Sequence, residues 1–385
     1  MTTYTPTGRT IFDADSHIME VRDWLSAYAD PGIRERLRPL HLGGAGGKVA
    51  EKAVDAAEAR RGDEAAATAL EEKLMTAKGW GALGAFDAEE RIRALDLLGF
   101  GKQLVFPTFA GTQFSGDDLE LLYGGTRALN RGLAEFCSGD DRLMAVASVP
   151  LNDPDLAGTA IDEALEFGCE TIMVPSAPPK DKSPSHPDYD PVWARLNDAN
   201  IPFQLHIGGG GRALKQAFHN NGNPVTDHFG GGENLRSKDY MAIHMPPELF
   251  LSVMILDGVF ERFPNLRGGC IEQGAMWVVP WLKRMDIAQS TFNKTEKALN
   301  MPLKASEYAH RHLWFTPFPT EPVGWMIEQA GDDLFLFSSD YPHPEGGRDP
   351  LKRFDGSLEG ASEEAIEKFY SGNFADMMAM APAPA

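Results

Sequence analysis

The chain has 385 residues, 43% of them hydrophobic and 24% charged, an ordinary balance for a globular protein with a large core. Its formal net charge of -20 at pH 7 argues against nucleic acid or an anionic membrane as partner, since both select basic surfaces. Cys137, Cys169 and Cys270 have no CxxC spacing, which points away from disulfides and thiolate metal sites and towards a reducing cytoplasm. Residues 1–9 carry no apolar signal core, and no apolar run is long enough to span a bilayer.

The first predicted strand, 10–14, leads into Asp13-Ala-Asp-Ser-His17. Alternation along a strand predicts Asp13, Asp15 and His17 on one face, where two carboxylates and an imidazole attract a divalent cation. The same residues also suit a capped turn. Residues 43–81, rich in Ala, Glu and Lys, interrupt the path from this strand to its helix and contain a predicted helix over 49–78. The next helix, 87–99, begins on an Asp cap and ends on Gly99. Further strands are predicted at 102–106, 143–149, 171–174, 202–207, 268–272, 313–316 and 334–338. Helical patterns over 117–137, 155–167, 191–199, 275–287 and 320–330 lie between most of them, and 362–380 reads as a closing helix. A second insertion, 208–247, opens with four consecutive glycines.

Strands alternating with helices imply parallel β-structure with right-handed crossovers. Eight of them predict an α/β fold, a (β/α)8 TIM barrel. The expected organisation is a single domain over 1–385, with insertions 43–81 and 208–247 at its C-terminal face, covering the site or building a subunit contact. An open doubly wound sheet is compatible with the pattern alone.

Metal-binding residue types collect at the predicted strand ends: Asp15 and His17, His206, Glu272 and Asp340. In a parallel barrel those ends share one face. His343 follows Asp340 by three positions and is a catalytic candidate. Arg212, beside the glycines, suits an anionic substrate group. His244 can reach the mouth from the insertion, whereas His228 is read as solvated. Trp314 belongs to an apolar set with Phe106, Phe109, Phe218, Phe229 and Phe318, which suggests a bulky apolar or aromatic small-molecule substrate. Glu20 either caps the next helix or hydrogen-bonds a ligand. Trp277 and Trp281 are read as helix core.

Several stretches resemble the amidohydrolase superfamily, in the amidohydrolase 2 branch that contains aminocarboxymuconate semialdehyde decarboxylase and related nonoxidative decarboxylases and hydrolases. They are Asp13-Ala-Asp-Ser-His17, Leu205-His-Ile207, Phe260-Glu-Arg-Phe-Pro-Asn-Leu266 leading to Glu272-Gln-Gly274 and Trp277, Ser339-Asp-Tyr-Pro342 and Tyr370-Ser-Gly-Asn373. The resemblance spans nearly the whole chain. It implies one or two divalent metal ions (zinc, manganese or iron) held by Asp15, His17, His206 and Asp340, and a homo-oligomer, commonly a homodimer. The first-strand pair is Asp-x-His where the superfamily often has His-x-His. Glu272 stands where many relatives present histidine, and could ligate a second metal, act as general base or orient water. Strand four, Thr171-Ile-Met-Val-Pro175, offers no lysine for a carbamate bridge.

Such a site activates water for attack on an amide, ester or thioester carbonyl, with Asp340 or Glu272 taking the proton. It can equally grip an aromatic or enoic carboxylate for decarboxylation. A third reading is a catalytically silent barrel acting as a binding module, which requires a broken ligand set. Glu272 tips the sequence reading towards hydrolysis.

Overall fold

The computed structural model describes residues 3–42, 47–209, 214–223 and 237–380. Seven strands run parallel in chain order: β1 (Phe12–His17), β2 (Lys102–Phe106), β3 (Leu143–Ser148), β4 (Thr171–Met173), β5 (Phe203–His206), β6 (Gly268–Ile271) and β7 (Leu313–Phe315). The predicted eighth strand is present only as isolated bridges, Phe315 with Phe335 and Ser16 with Tyr341. It still closes the ring. Phe315 N donates to Leu334 O (2.8 Å) and Leu336 N to Phe315 O (2.9 Å) on the β7 side, and Ala14 N donates to Phe337 O (3.1 Å) on the β1 side. The result is the predicted (β/α)8 barrel.

Local chemistry sets the helix ends. Asp87 caps Ala88–Leu98 through Glu90 N, and Gly99 ends it in the left-handed conformation (φ 73°) that glycine adopts without strain. Asp153 and Gly168 do the same for Pro154–Phe167. The predicted helix 49–78 is two helices, Gly47–Arg60 and Glu64–Glu71. Gly62 (φ 76°) breaks it, and Asp63 starts the second piece by accepting from Ala65 N and Ala66 N. The closing segment is Glu363–Glu367, a π-turn over Lys368–Gly372, and Asn373–Met377. Its Phe374 and Met377 enter the barrel interior with Phe12, Leu104, Met144, Val146 and Leu336, and so plug the end where β1 starts. A second, larger core fills the space between barrel and helices.

One expectation about β1 fails. Between Asp13 and Ser16 the pairing with β2 slips by a residue, a bulge that reverses which face the side chains occupy. Asp13 therefore points away from Asp15 and His17. Its carboxylate accepts from Ser339 N (2.7 Å), Ser339 Oγ (2.6 Å) and Gln103 Nε2 (2.8 Å). Burial pushes its pKa up to about 7, against the pull of the Ser339 and Gln103 hydrogen bonds. Behind it lies the fully buried Arg91, which donates to Gly84 O (2.7 Å), Gln103 Oε1 (3.2 Å), Ser16 Oγ (3.4 Å) and His17 O. Asp13 and Arg91 thus tie β1 to the segment that carries Asp340. Gly84 is obligatory there, since a Cβ would lie 2.3 Å from the Arg91 Cα.

Arg91→Met should lower the unfolding free energy by about 3–5 kcal/mol, because it strips the charge from a buried set of acceptors that water cannot reach. Urea denaturation measures this. A loss below about 1 kcal/mol would mean that the acceptors find other donors.

Candidate metal centre

β1 delivers Asp15 and His17, β5 ends in His206, Glu272 follows β6 directly, and Asp340 follows the bridging eighth segment. All are buried, none more than 7% exposed. Asp15 Oδ1 lies 3.2 Å from His17 Nε2 and 3.4 Å from His206 Nε2. Glu272 Oε2 lies 3.4 Å from His206 Nε2, and Asp340 Oδ1 is 3.7 Å from His17 Nε2. Donor atoms of Asp15, His17, His206 and Glu272 lie within 4.8 Å of one another, as do those of His17, Glu272, Asp340 and His343. The sequence pairs Asp340 with the first three ligands. In the fold Glu272 completes that quartet, and Asp340 joins an overlapping one.

Hydrogen-bond logic decides which nitrogens face the centre. His17 Nδ1 is 3.3 Å from Pro107 O, and His206 Nδ1 is 3.1 Å from Ile207 O. A carbonyl only accepts, so both Nδ1 atoms carry hydrogen. Both Nε2 atoms are left aimed at carboxylates. Among the described residues, His17 Nε2, His206 Nε2 and both carboxylate oxygens of Asp15 and of Asp340 are buried without a hydrogen bond. Lone pairs facing carboxylates repel unless a cation stands between them. Ligands around a first-row divalent ion at roughly 2.0–2.3 Å stand up to roughly 4.6 Å apart, so the spread of these donors fits one. Carbonyl-locked imidazoles are also the usual support for metal-binding histidines.

The titration tendencies agree. Burial raises the Asp15 pKa, but contacts with His17 and His206 outweigh it and hold the carboxyl well below its ordinary range. Burial and the neighbouring His343 and His206 push His17 down to about 4, with Asp15 opposing. Burial lowers His206 too, yet Asp15 outweighs it and holds this imidazole above its ordinary value. Burial also raises Asp340, against the pull of His343.

Glu272 (φ 56°) and Asp340 (φ 51°) both adopt the left-handed region, costly for residues with a Cβ by roughly 1–2 kcal/mol each. The surroundings enforce it. Glu272 N donates to Thr316 Oγ1 (2.8 Å), and Asp340 N donates to Asp15 O (2.9 Å). Glu321 secures the turn after Glu272 by accepting from Phe318 N (2.8 Å), Ala275 N (2.9 Å) and Met276 N (3.0 Å). Arg284 pairs with Glu248 (2.7 Å).

The other candidates are placed as follows. His343 stacks on His17 with centroids 3.9 Å apart, and its Nδ1 is 3.1 Å from Asp340 Oδ1. Trp314 lies in the barrel interior with Phe106, whose ring is 4.6 Å from that of His206. His244 lies against Trp277 (5.9 Å) and beside Glu248 (3.6 Å) rather than in the cluster. Trp277 is partly buried and Trp281 is core, its Nε1 donating to Ser252 Oγ (2.9 Å). Arg212, His228 and Phe229 lie outside the described residues. Glu20 neither caps the next helix nor hydrogen-bonds a metal-binding side chain: its carboxylate accepts from Thr108 N (3.0 Å) and Phe109 N (2.8 Å).

Two residues escaped the sequence reading. Lys78, from the first insertion, has a buried ammonium without a hydrogen bond among the described residues. Burial lowers its pKa, with Asp340 and Glu345 opposing, and its neighbour Gly79 N donates to Pro342 O (2.8 Å). Thr108 holds its hydroxyl 3.1 Å from His343 Nε2. Neither sits in a motif, so only the fold reveals them.

A barrel with this buried donor set defines a metal-dependent enzyme of the amidohydrolase type. The chain matches the amidohydrolase family profile over residues 12–377 and belongs to that family. It is similar to the decarboxylase OrsB of Emericella nidulans, 23% identical over 296 residues, 75% of this chain and 84% of that protein. An amidohydrolase from Mycobacterium avium subsp. paratuberculosis superposes with a TM-score of 0.73 at 22% identity, covering 97% of this chain and 100% of that one. A 5-carboxyvanillate decarboxylase from Novosphingobium aromaticivorans, bound to manganese and 3-methoxy-4-hydroxy-5-nitrobenzoic acid, gives 0.65 at 17%, covering 97% and 98%. At such identities the superpositions establish the fold.

A divalent ion binds the unprotonated imidazole and the ionised carboxylate, and both His206 and Asp340 are shifted towards holding their protons. Affinity should therefore weaken as pH falls, by about tenfold per pH unit for each proton displaced. Chelator competition with manganese between about pH 8 and about pH 6 tests the sign. A flat profile would mean that no imidazole proton is displaced.

Proposed function

We propose that this protein is a metal-dependent nonoxidative decarboxylase of an aromatic carboxylic acid. The observation that carries it is the buried cluster whose two carbonyl-locked imidazoles aim Nε2 at carboxylates, with Asp340 Oδ1 and His343 Nδ1 3.1 Å apart at its edge. Asp15, His17, His206, Glu272 and Asp340 would hold the ion. When bound, the ion supplies positive charge that grips the substrate carboxylate and an adjacent oxygen. A proton carried by His343 Nδ1, 3.1 Å from Asp340 Oδ1, would pass to Asp340 and from there to the ring carbon bearing the carboxylate. The bond from that carbon to the carboxylate then breaks, its electrons return to the ring, and CO2 leaves. Water restores the proton to the pair. Phe106, its ring 4.6 Å from that of His206, sets apolar surface against the cluster that disfavours water.

The similarity to the decarboxylase OrsB supports this over hydrolysis. Hydrolysis keeps one observation in its favour: Glu272 stands at the centre, where a general base for water would stand. The manganese-loaded protein should release CO2 from some member of a panel of hydroxylated and methoxylated benzoates, and no acid from matching esters and amides. Acid release without CO2 would overturn the proposal.

Glu272→Gln should leave folding intact and reduce turnover by on the order of 10²-fold. Circular dichroism checks the fold and the CO2 assay the rate. Turnover near wild type would remove Glu272 from the working centre.

A further inference from the structure

Thr108 follows β2 and has no role in any reading so far. Its hydroxyl lies 2.7 Å from Ile18 O, 3.1 Å from His343 Nε2 and 3.4 Å from His17 Nδ1. A hydroxyl has one hydrogen. The shortest contact is to a carbonyl, which can only accept, so that hydrogen goes to Ile18 O. The oxygen can then only accept from His343, and Nε2 of His343 must be the donor. The other contact is consistent, because His17 Nδ1 also carries its hydrogen.

The hydroxyl is held rigidly. Glu20 fixes the backbone of Thr108 and Phe109 by accepting both N–H groups (3.0 and 2.8 Å). Trp80 Nε1 in turn donates to Glu20 O (3.0 Å). On the far side, His343 is clamped by its stack on His17 and by the bond from its own N to Asp340 O (2.7 Å).

We propose that Thr108 is a positioning residue: it keeps a hydrogen on His343 Nε2, so that the exchangeable proton of this imidazole is confined to Nδ1, the nitrogen facing Asp340. This rests on the decarboxylase reading for its purpose, though not for its geometry. In the forward step the Nδ1 proton passes to Asp340 and from there to the substrate carbon, and His343 becomes neutral with its Nε2 hydrogen still donated to Thr108 Oγ1. A proton from water then returns to Nδ1. Without the hydroxyl, neutral His343 can place its single hydrogen on Nδ1 against Asp340 and leave the Nε2 lone pair facing a methyl group. The proton is then held where it should be released.

The test compares Thr108→Val with Thr108→Ser in the zinc-loaded, 15N-histidine-labelled protein. Long-range 1H–15N correlation spectra report the tautomer, and His343→Gln assigns the signals. The expected result is a protonated Nε2 in wild type and Thr108→Ser, and a switch of neutral His343 to the Nδ1–H form in Thr108→Val. A neutron structure of the wild type, with deuterium on Nε2, gives the same answer should Thr108→Val not fold. Wild-type His343 with a bare Nε2, or a tautomer unchanged in Thr108→Val, would overturn the proposal. With any benzoate that releases CO2, Thr108→Val should lower kcat by roughly tenfold or more and leave KM within about twofold, and Thr108→Ser should restore it. Equal losses in both variants would also overturn it. If no benzoate reacts, the decarboxylase reading fails and the tautomer measurement still decides for or against Thr108.

Discussion

Negative charge is concentrated where water is nearly excluded. Asp15 and Asp340 both approach His17 Nε2, and Asp15 and Glu272 both approach His206 Nε2. Buried carboxylates that share partners cannot persist without compensating positive charge. A divalent ion held by these donors would supply it. Much of the surrounding architecture can be understood as holding this arrangement against its own repulsion. Two backbone carbonyls orient the imidazoles, Asp13 and Ser339 join the two segments that carry the carboxylates, and Arg91 backs them with a fixed charge.

Strain points the same way. The two non-glycine residues whose backbones are forced into the left-handed region beside the cluster are Glu272 and Asp340, and both carry the centre's chemistry. Relaxing either would turn its carboxylate out of the cluster. The neighbouring chain prevents that through Thr316, Glu321 and the Asp15 carbonyl. Local stability has been given up to hold the functional groups in place.

Most of the barrel and the donor set could be read from residue order. Apolar runs broken by capped helices are local signals, and Asp, His and Glu at strand ends are chemically conspicuous. What escaped the sequence was of three kinds. Asp13 was misplaced because a one-residue bulge leaves no mark in the local pattern, yet it inverts the alternation. The eighth strand is weak because its pairing is limited to isolated bridges, and a run of β-formers does not reveal how many hydrogen bonds it will make. Thr108, Lys78 and the true partners of Glu20 depend on contacts between segments far apart in sequence, and each is an ordinary residue in an ordinary context. Chemistry that resides in one side chain was legible; chemistry that resides in a pairing was not.

The plug formed by Phe374 and Met377 has a consequence for traffic. These side chains fill the barrel at the end where the strands begin and pack against Phe12, while the donor cluster occupies the opposite end. Among the described residues the plug closes the strand-start end, which leaves the opposite face as the side from which the cluster is approached. For the proposed decarboxylation, the carboxylic acid would enter, and the neutral arene and gas would leave, on that same side. Departure of the small gas first would clear the threshold for the larger product, giving the exit an order dictated by size.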